Sequence, residues 1–102
     1  EVYDPQSEQW TEVAPLREAR WGPTATLLAD GQVLIVGGAY GSFGSKSSAE
    51  LFDPQDRTWR DAGKLSQARN GHRAITLSDG RVLIVGGHCL GRYLTSCEIY
   101  TP

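Results

Sequence analysis

The sequence is short of several features that define whole classes of protein. Methionine is absent and only 2 of the 102 residues are cysteine, which excludes a disulfide-rich scaffold. The longest apolar runs have 4 residues, far too few for a membrane-spanning helix. The net charge is −2 with both signs mixed along the chain, whereas nucleic-acid-binding domains usually carry a basic stripe. We therefore expect neither a membrane nor a nucleic-acid partner.

What the sequence does contain is an internal repeat. Residues 1–38 and 50–87 are identical at 19 of 38 positions, and a third copy opens at residues 98–102. A repeat of this length is a supersecondary unit. Residues shared by the copies are expected to support the fold, and residues that differ are free to serve a ligand. The shared aromatic positions are therefore expected to be structural. They are Tyr3 and Phe52, with Trp10 and Trp59 as buried anchors because large rings supply much buried area.

Each copy is typical of short strands joined by turns. Residues 49–54 predict a strand closed by an Asp-Pro turn, because the aspartate side chain can bond the backbone ahead and proline presets the turn. Residues 58–62 and 71–78 predict two further strands, and Asp79-Gly80 predicts a two-residue hairpin turn. The apolar run in residues 81–85 is typical of a strand buried on both faces. The Gly-Gly pair after it lets the chain approach a neighbouring backbone closely.

The order of these signals resembles the kelch repeat. Each copy reads Glu, then Tyr or Phe, then Asp-Pro, Trp, Ala-Arg, Asp-Gly and an apolar run that ends in Gly-Gly. The resemblance implies an all-β fold of kelch-type β-propeller blades, each a four-stranded antiparallel sheet packed between neighbours. It implies that residues 1–13 end one blade, that 22–62 form a complete blade and that 71–102 form most of a further blade. The chain would then supply about two blades of a larger or oligomeric propeller.

Two blades leave a sheet face uncovered at each end. We expect these faces to expose apolar residues, including Val33, Ile35, Val82 and Ile84, and such faces mark interfaces. The implied partners are other propeller blades, supplied by further chain or by homo-oligomer copies. Because the chain starts at Glu1 and has no methionine, we expect it to be a piece of a longer or processed protein.

Antiparallel alternation predicts that two kinds of loop share one face, namely those from fourth to first strand and those from second to third strand. The Asp-Gly and Asp-Pro turns lie on the opposite face. The loop face carries six basic residues against one acid, which are Arg17, Arg20, Lys46, Lys64, Arg69 and Arg92 against Glu18. Long loops on a rigid scaffold concentrate binding residues. We therefore expect this face to bind a protein or peptide with acidic character.

The candidate ligand-binding residues of this face are mostly aromatic or basic, the types enriched at binding hot spots. They are Arg20, Trp21, Tyr40, Phe43, Arg69, His88, Arg92 and Tyr93. The resemblance implies pocket-lining arginines at Arg20 and Arg69, as in kelch adaptor proteins that recruit ubiquitin-ligase substrates. The alternative is an ion pair of each arginine with the glutamate of the following third strand. The alternative for the aromatic residues is packing over their own hairpins or against the adjacent blade.

Cys89 and Cys97 bracket one of these loops and leave two alternatives, a disulfide across a hairpin or two free thiols. With His72 and His88 they match no known zinc spacing. We therefore expect no metal site and no cofactor.

The sequence predicts no catalytic residues. The framework also resembles the propeller of galactose-oxidase-like copper enzymes, but residues 20–24 and 69–73 lack the tyrosine that such a site needs. Neither a Ser-His-Asp set nor a phosphate-binding loop is evident. We expect a binding or interaction module. The alternative is part of a carbohydrate-active kelch enzyme, an oxidase or a sugar isomerase, whose catalytic residues lie outside this segment.

Overall fold

The computed structural model describes residues 1–41 and 44–102, and every regular element in those residues is a β-strand. The predicted all-β class is confirmed. The strands are β1 (Val2–Asp4), β2 (Gln9–Thr11), β3 (Thr24–Leu27), β4 (Val33–Val36), β5 (Ala39–Tyr40), β6 (Gly44–Ser45), β7 (Ser48–Asp53), β8 (Thr58–Lys64), β9 (Arg73–Thr76), β10 (Val82–Val85), β11 (His88–Cys89), β12 (Arg92–Tyr93) and β13 (Cys97–Tyr100).

The strands form two principal antiparallel sheets and three hairpins. The four-stranded sheet has the order β3-β4-β7-β8, and the three-stranded sheet has the order β9-β10-β13. The three strands of the second sheet correspond to β3, β4 and β7 of the first, as the internal repeat requires. A hairpin of β1 and β2 precedes the first sheet, and two small hairpins, β5-β6 and β11-β12, lie in the loops between second and third strands.

The predicted Asp-Pro turns are found in both copies. In the second, the Gln55 N–H donates to Asp53 Oδ1 at 2.9 Å and the Arg57 N–H donates to the Asp53 carbonyl at 2.8 Å. Asp4 accepts an equivalent side-chain bond from the Gln6 N–H at 2.9 Å. The aspartate thus closes the turn with its own side chain, as the sequence pattern indicates.

The prediction of a two-residue turn at Asp79-Gly80 is wrong by one residue. The Leu77 N–H donates to the Arg81 carbonyl at 2.7 Å and the Gly80 N–H to the Leu77 carbonyl at 3.0 Å, which leaves residues 78–80 in the loop. Gly80 has φ +90°, a left-handed conformation that glycine adopts without a steric penalty. Three-residue hairpin loops commonly place a glycine there.

The hydrophobic core lies where the two sheets pack together. Leu34 and Val36 of β4 are 0% and 2% exposed, and Val82 and Ile84 of β10 are 0% and 1% exposed. The prediction that Val82 and Ile84 line an uncovered face is therefore wrong, because the alternation of β10 turns them toward the first sheet. Ile35 is also buried, at 9%.

The outer face of the three-stranded sheet does carry an apolar row. Leu83 lies opposite Ile75 on one side and Ile99 on the other. Ile75 is 51% exposed and Ile99 is 50% exposed. An uncovered apolar face is therefore present at this end of the chain, but its residues differ from those predicted.

The repeated aromatic pair has the same geometry in both copies but different burial. Tyr3 and Trp10 have ring centroids 5.2 Å apart, and Phe52 and Trp59 have centroids 4.9 Å apart. Trp10 is 66% exposed, because β1 and β2 belong to no larger sheet, so its prediction as a buried anchor is wrong. Trp59 is partly buried, and its Nε1–H donates to the Ala14 carbonyl at 2.7 Å.

The second sheet approaches the first closely at Gly37. This residue has φ +65°, and a Cβ there would collide with the Arg69 carbonyl and the His72 ring, so the predicted close approach at the Gly-Gly pair is found. His72 is 3% exposed, and its Nε2 lies 3.0 Å from Thr24 Oγ1 of the first sheet. Burial lowers the pKa of His72, and only partial compensation comes from the Val36 carbonyl.

Cys89 and Cys97 are free thiols. Cys89 lies opposite Arg92 and Cys97 lies opposite Val85, so the strands that carry the two cysteines do not pair with each other. In the described part of the chain, no helix has the length and apolar character required to cross a lipid bilayer.

Candidate binding site

The loops between strands come together on one side of the two sheets, as alternation predicts. Trp21 and Ala39 exchange two backbone hydrogen bonds, of 2.9 and 2.7 Å. At the equivalent place in the second copy, Asn70 and His88 exchange bonds of 3.1 and 2.9 Å. These bridges hold the start of each first strand against the loop between the second and third strands.

A groove of about 540 Å³ lies between the two small hairpins. Its lining includes Trp21, Ala39 and Ser45 from the first copy and Asn70, His88 and Leu90 from the second. We call this the loop groove. Trp21 and Asn70 are equivalent in the repeat, as are Ala39 and His88. The groove is therefore lined by positions at which the two copies carry different side chains. Such side chains have no structural role that both copies share.

One wall of the loop groove is the β5-β6 hairpin. Tyr40 is 58% exposed, and its ring lies over Gly44, where a Cβ would collide with it. Lys46 Nζ lies 4.8 Å from the centroid of this ring and 2.8 Å from Glu18 Oε1. The Lys46 hydrogen bond is the main reason that the pKa of Glu18 lies below its ordinary value. Tyr40 therefore packs over its own hairpin, the alternative considered for it, and still presents a large surface.

The other wall is the β11-β12 hairpin. His88 and Tyr93 are cross-strand partners with ring centroids 6.3 Å apart in an edge arrangement, and Tyr93 is 90% exposed. Arg92 lies beside them in β12 and is exposed. The turn between the strands consists of Leu90 and Gly91, both with positive φ, at 51° and 76°.

Leu90 is an unusual residue for this turn. A turn with two positive φ values strongly favours asparagine, aspartate or glycine, and a left-handed leucine costs roughly 1–2 kcal/mol. The side chain is also 77% exposed, so burial does not offset the strain. Residues held in such conformations are concentrated at functional sites, which marks Leu90 as a candidate ligand contact that the sequence pattern did not identify.

The two arginines predicted as ligand contacts are enclosed in equivalent networks. The Arg20 side chain is 0% exposed; its Nη2 lies 3.0 Å from Glu50 Oε2, and its Nη1 donates to the carbonyls of Gly37 and Ser48 at 2.8 Å. The structural alternative, an ion pair with the next third strand, therefore describes Arg20.

Arg69 repeats this arrangement. Its side chain is 0% exposed, Nη2 lies 3.1 Å from Glu98 Oε2, and Nη1 donates to the carbonyls of Gly86 and Ser96 at 2.8 Å. Burial raises the pKa of Glu98, but the N–H groups of Ser66 and Gln67 and the charge of Arg69 outweigh burial and hold it below 4.5. A guanidinium with all these partners cannot contact a ligand unless the network opens.

A family model of the kelch motif matches residues 20–66. This segment runs from Arg20 through the whole four-stranded sheet. This chain contains a kelch motif. The predicted resemblance is confirmed, and the four-stranded sheet with its partner is consistent with kelch blades. The four-stranded sheet is called the first blade below, and the three-stranded sheet the second blade. A search of curated protein sequences returned no match to this chain.

The two blades bring together only some of the predicted site residues. Trp21 and His88 line the loop groove, with Trp21 77% exposed, and Tyr40, Arg92 and Tyr93 lie in its two wall hairpins. Phe43 lies outside the described residues. Sequence reasoning missed several lining residues, among them Ser45, Asn70 and Leu90. The difference between Asn70 and its repeat equivalent Trp21 was the signal that could have identified one of them.

The basic character of the loop face is smaller than the residue count suggests. Arg20, Arg69 and Lys46 are paired with carboxylates. The exposed basic residues without a carboxylate partner in residues 1–41 and 44–102 include Arg17, Lys64 and Arg92. In the same residues, no three His, Cys, Asp or Glu side chains converge as a metal site would require.

Proposed function

We propose that the loop groove binds a protein or peptide segment of acidic character. Kelch repeats generally mediate protein interactions, and the kelch motif indicates an interaction module in general terms. The observation that carries the finer proposal is the groove itself. It is roomy, lies between the two sheets and is lined by exposed Trp21 and Leu90, and exposed Tyr93 lies in one of its wall hairpins. Large exposed apolar side chains of this kind are anchors of binding surfaces.

The acidic preference rests on Arg92 rather than on the buried arginines. Arg92 is exposed in the same hairpin as His88 and Tyr93. A guanidinium donates in a planar fork that fits a carboxylate, and its neighbours supply aromatic contact area. The ligand would therefore place an apolar or aromatic side chain in the groove and a carboxylate near Arg92.

The test is a peptide array of random short sequences sorted by net charge, screened with the intact chain and with variants. We expect hits enriched in acidic peptides, with binding that weakens as salt is added, because exposed charges are screened over about 8–10 Å at physiological ionic strength. Arg92→Ala should remove most of that salt dependence. Tyr93→Ala should weaken the same hits by roughly tenfold, about 1.4 kcal/mol.

A variant at Leu90 separates binding from folding. Leu90→Asn relieves the left-handed strain and removes the apolar contact, so we expect the melting temperature to be unchanged or higher while peptide binding falls. Arg57→Asn is the matched control, because Arg57 is exposed, has φ 59° and lies in an Asp-Pro turn on the opposite face. Unchanged binding in Leu90→Asn, or equal loss in both variants, would contradict the assigned site. Glycan hits without peptide hits would favour the carbohydrate class instead.

We also infer that further blades cover the outer faces, with residues 1–13 as the end of one blade, 22–62 as a complete blade and 71–102 as most of another. The repeat supports this reading. Leu34 and Leu51 of the first blade are 0% and 5% exposed because the second blade covers them. Their equivalents Leu83 and Ile99 form part of the exposed apolar row. A further stretch of the protein or another copy of the chain would bury that row in the same way.

A further inference from the structure

Asn70 is a buried polar side chain that lines the loop groove. It is 9% exposed, and its backbone N–H and carbonyl are both bonded to His88. Its carboxamide makes one hydrogen bond within the described residues, from Nδ2 to Ser45 Oγ at 2.6 Å. Oδ1 has no partner in the described residues and is not fully enclosed, so it and the second hydrogen of Nδ2 are available to a ligand in the groove.

The orientation of the amide follows from the hydroxyl that it contacts. Ser45 Oγ also lies 3.4 Å from the His88 carbonyl, which can only accept. With Nδ2 of Asn70 donating to Ser45 Oγ, the hydroxyl hydrogen is directed to the His88 carbonyl. This places Nδ2 on the Ser45 side and Oδ1 on the other side. The bonds also join the first blade to the second at the groove floor.

An amide held in this way offers one acceptor and one donor side by side. The N–H and C=O of a single residue in an extended peptide point in the same direction and match that pair. A carboxylate offers acceptors only and would face Oδ1 without a hydrogen bond. We propose that Asn70 binds the backbone of one residue of an extended peptide in the loop groove, an inference that rests on the proposed function. The neighbouring side chains of the peptide, which alternate in direction, would then meet Trp21 and Leu90.

This contact is independent of the side chain of the bound residue, so it sets the position of the peptide rather than its sequence preference. Trp21 occupies the equivalent position of the first blade, where the same backbone contact cannot form. The inference therefore assigns Asn70 as a positioning contact specific to this groove, while Arg92 and Tyr93 select the flanking chemistry.

The test uses two small probes and amide NMR of the isotope-labelled chain. N-acetyl-alanine N-methylamide carries the N–H and C=O of one residue, and its depsipeptide analogue, O-acetyl-lactic acid N-methylamide, has an ester oxygen in place of that N–H. We expect the first probe to shift the Asn70 side-chain signals and the Trp21 indole signal saturably in the millimolar range, and the analogue to bind roughly tenfold more weakly, as a lost hydrogen bond to a buried partner implies. Sodium acetate should leave Asn70 unchanged.

Variants distinguish recognition from support of the fold. Asn70→Asp should abolish the preference between the two probes, and Ser45→Ala should reduce it several-fold, since the amide loses its orientation. A merely structural role would lower the affinity for both probes equally. Equal shifts of Trp21 by both probes in the unsubstituted chain would overturn the inference and leave the proposed groove intact. Silence of both signals at high probe concentration would also overturn it, whereas the peptide array decides the proposed function separately.

Discussion

The buried ion pair of Arg20 and Glu50 offers the strongest prediction on stability. Glu50 is 2% exposed and accepts the Arg17 N–H at 2.7 Å as well as two Arg20 donors, at 3.1 and 3.0 Å. Glu50→Ala would leave an enclosed guanidinium without its counter-charge. Breaking a buried pair in this way typically costs about 3–5 kcal/mol, a large share of the stability of a small domain. Urea denaturation at neutral pH measures the loss.

Two controls show whether the loss arises from the unpaired charge. Glu18→Ala removes an ion pair whose carboxylate side chain is 45% exposed, and we expect it to cost under about 1 kcal/mol. The double variant Arg20→Met/Glu50→Leu removes both charges and should recover most of the stability lost in Glu50→Ala. If Glu50→Ala costs no more than Glu18→Ala, or if the double variant is the least stable of all, the electrostatic reasoning is refuted.

Further predictions concern packing, pH and assembly. Trp59→Ala should lower the free energy of unfolding by roughly 2–3 kcal/mol, less than for a fully buried ring, because Trp59 is only partly buried. Tyr93→Ala should lower it far less. Thermal melts that rank the two variants in reverse order would contradict the fold. Burial lowers the pKa of His72 below its ordinary 6.5, so the unfolded chain binds a proton at a higher pH than the folded chain does. The contribution of His72 to the free energy of unfolding should therefore be fully present above pH 6.5 and decline below it. His72→Gln should flatten the dependence of the free energy of unfolding on pH between about 7.5 and 5. Carboxylates ordinarily titrate below this window, so they do not account for the slope. The chain alone should self-associate at micromolar concentration through the exposed row, in whole multiples of two blades, and Leu83→Asp should reduce the association; a monodisperse monomer in sedimentation would argue against this prediction.

Strand positions were predictable because their signals are local. The apolar run at Val82–Val85 and the aspartate of the Asp-Pro turn at Asp53 determine their structure through residues within a few positions along the chain. The error at Asp79-Gly80 is also local and amounts to one residue, since the dipeptide indicates a turn but not the number of residues in it. The site was less predictable. Leu90 became a candidate only through its backbone conformation and exposure.

The repeat by itself determined the class of fold, the position of the strands and the side on which the long loops lie, because periodicity and turn chemistry act over short stretches. Tertiary structure decided which charged side chains are available to a ligand. Arg20 and Arg92 are both basic residues of one loop face in the sequence, yet only the folded chain brings the loop before the first strand against the third strand, which encloses Arg20 with Glu50 and leaves Arg92 in water. The same packing places Asn70 beside Ser45, 25 positions away along the chain, because neighbouring blades meet there.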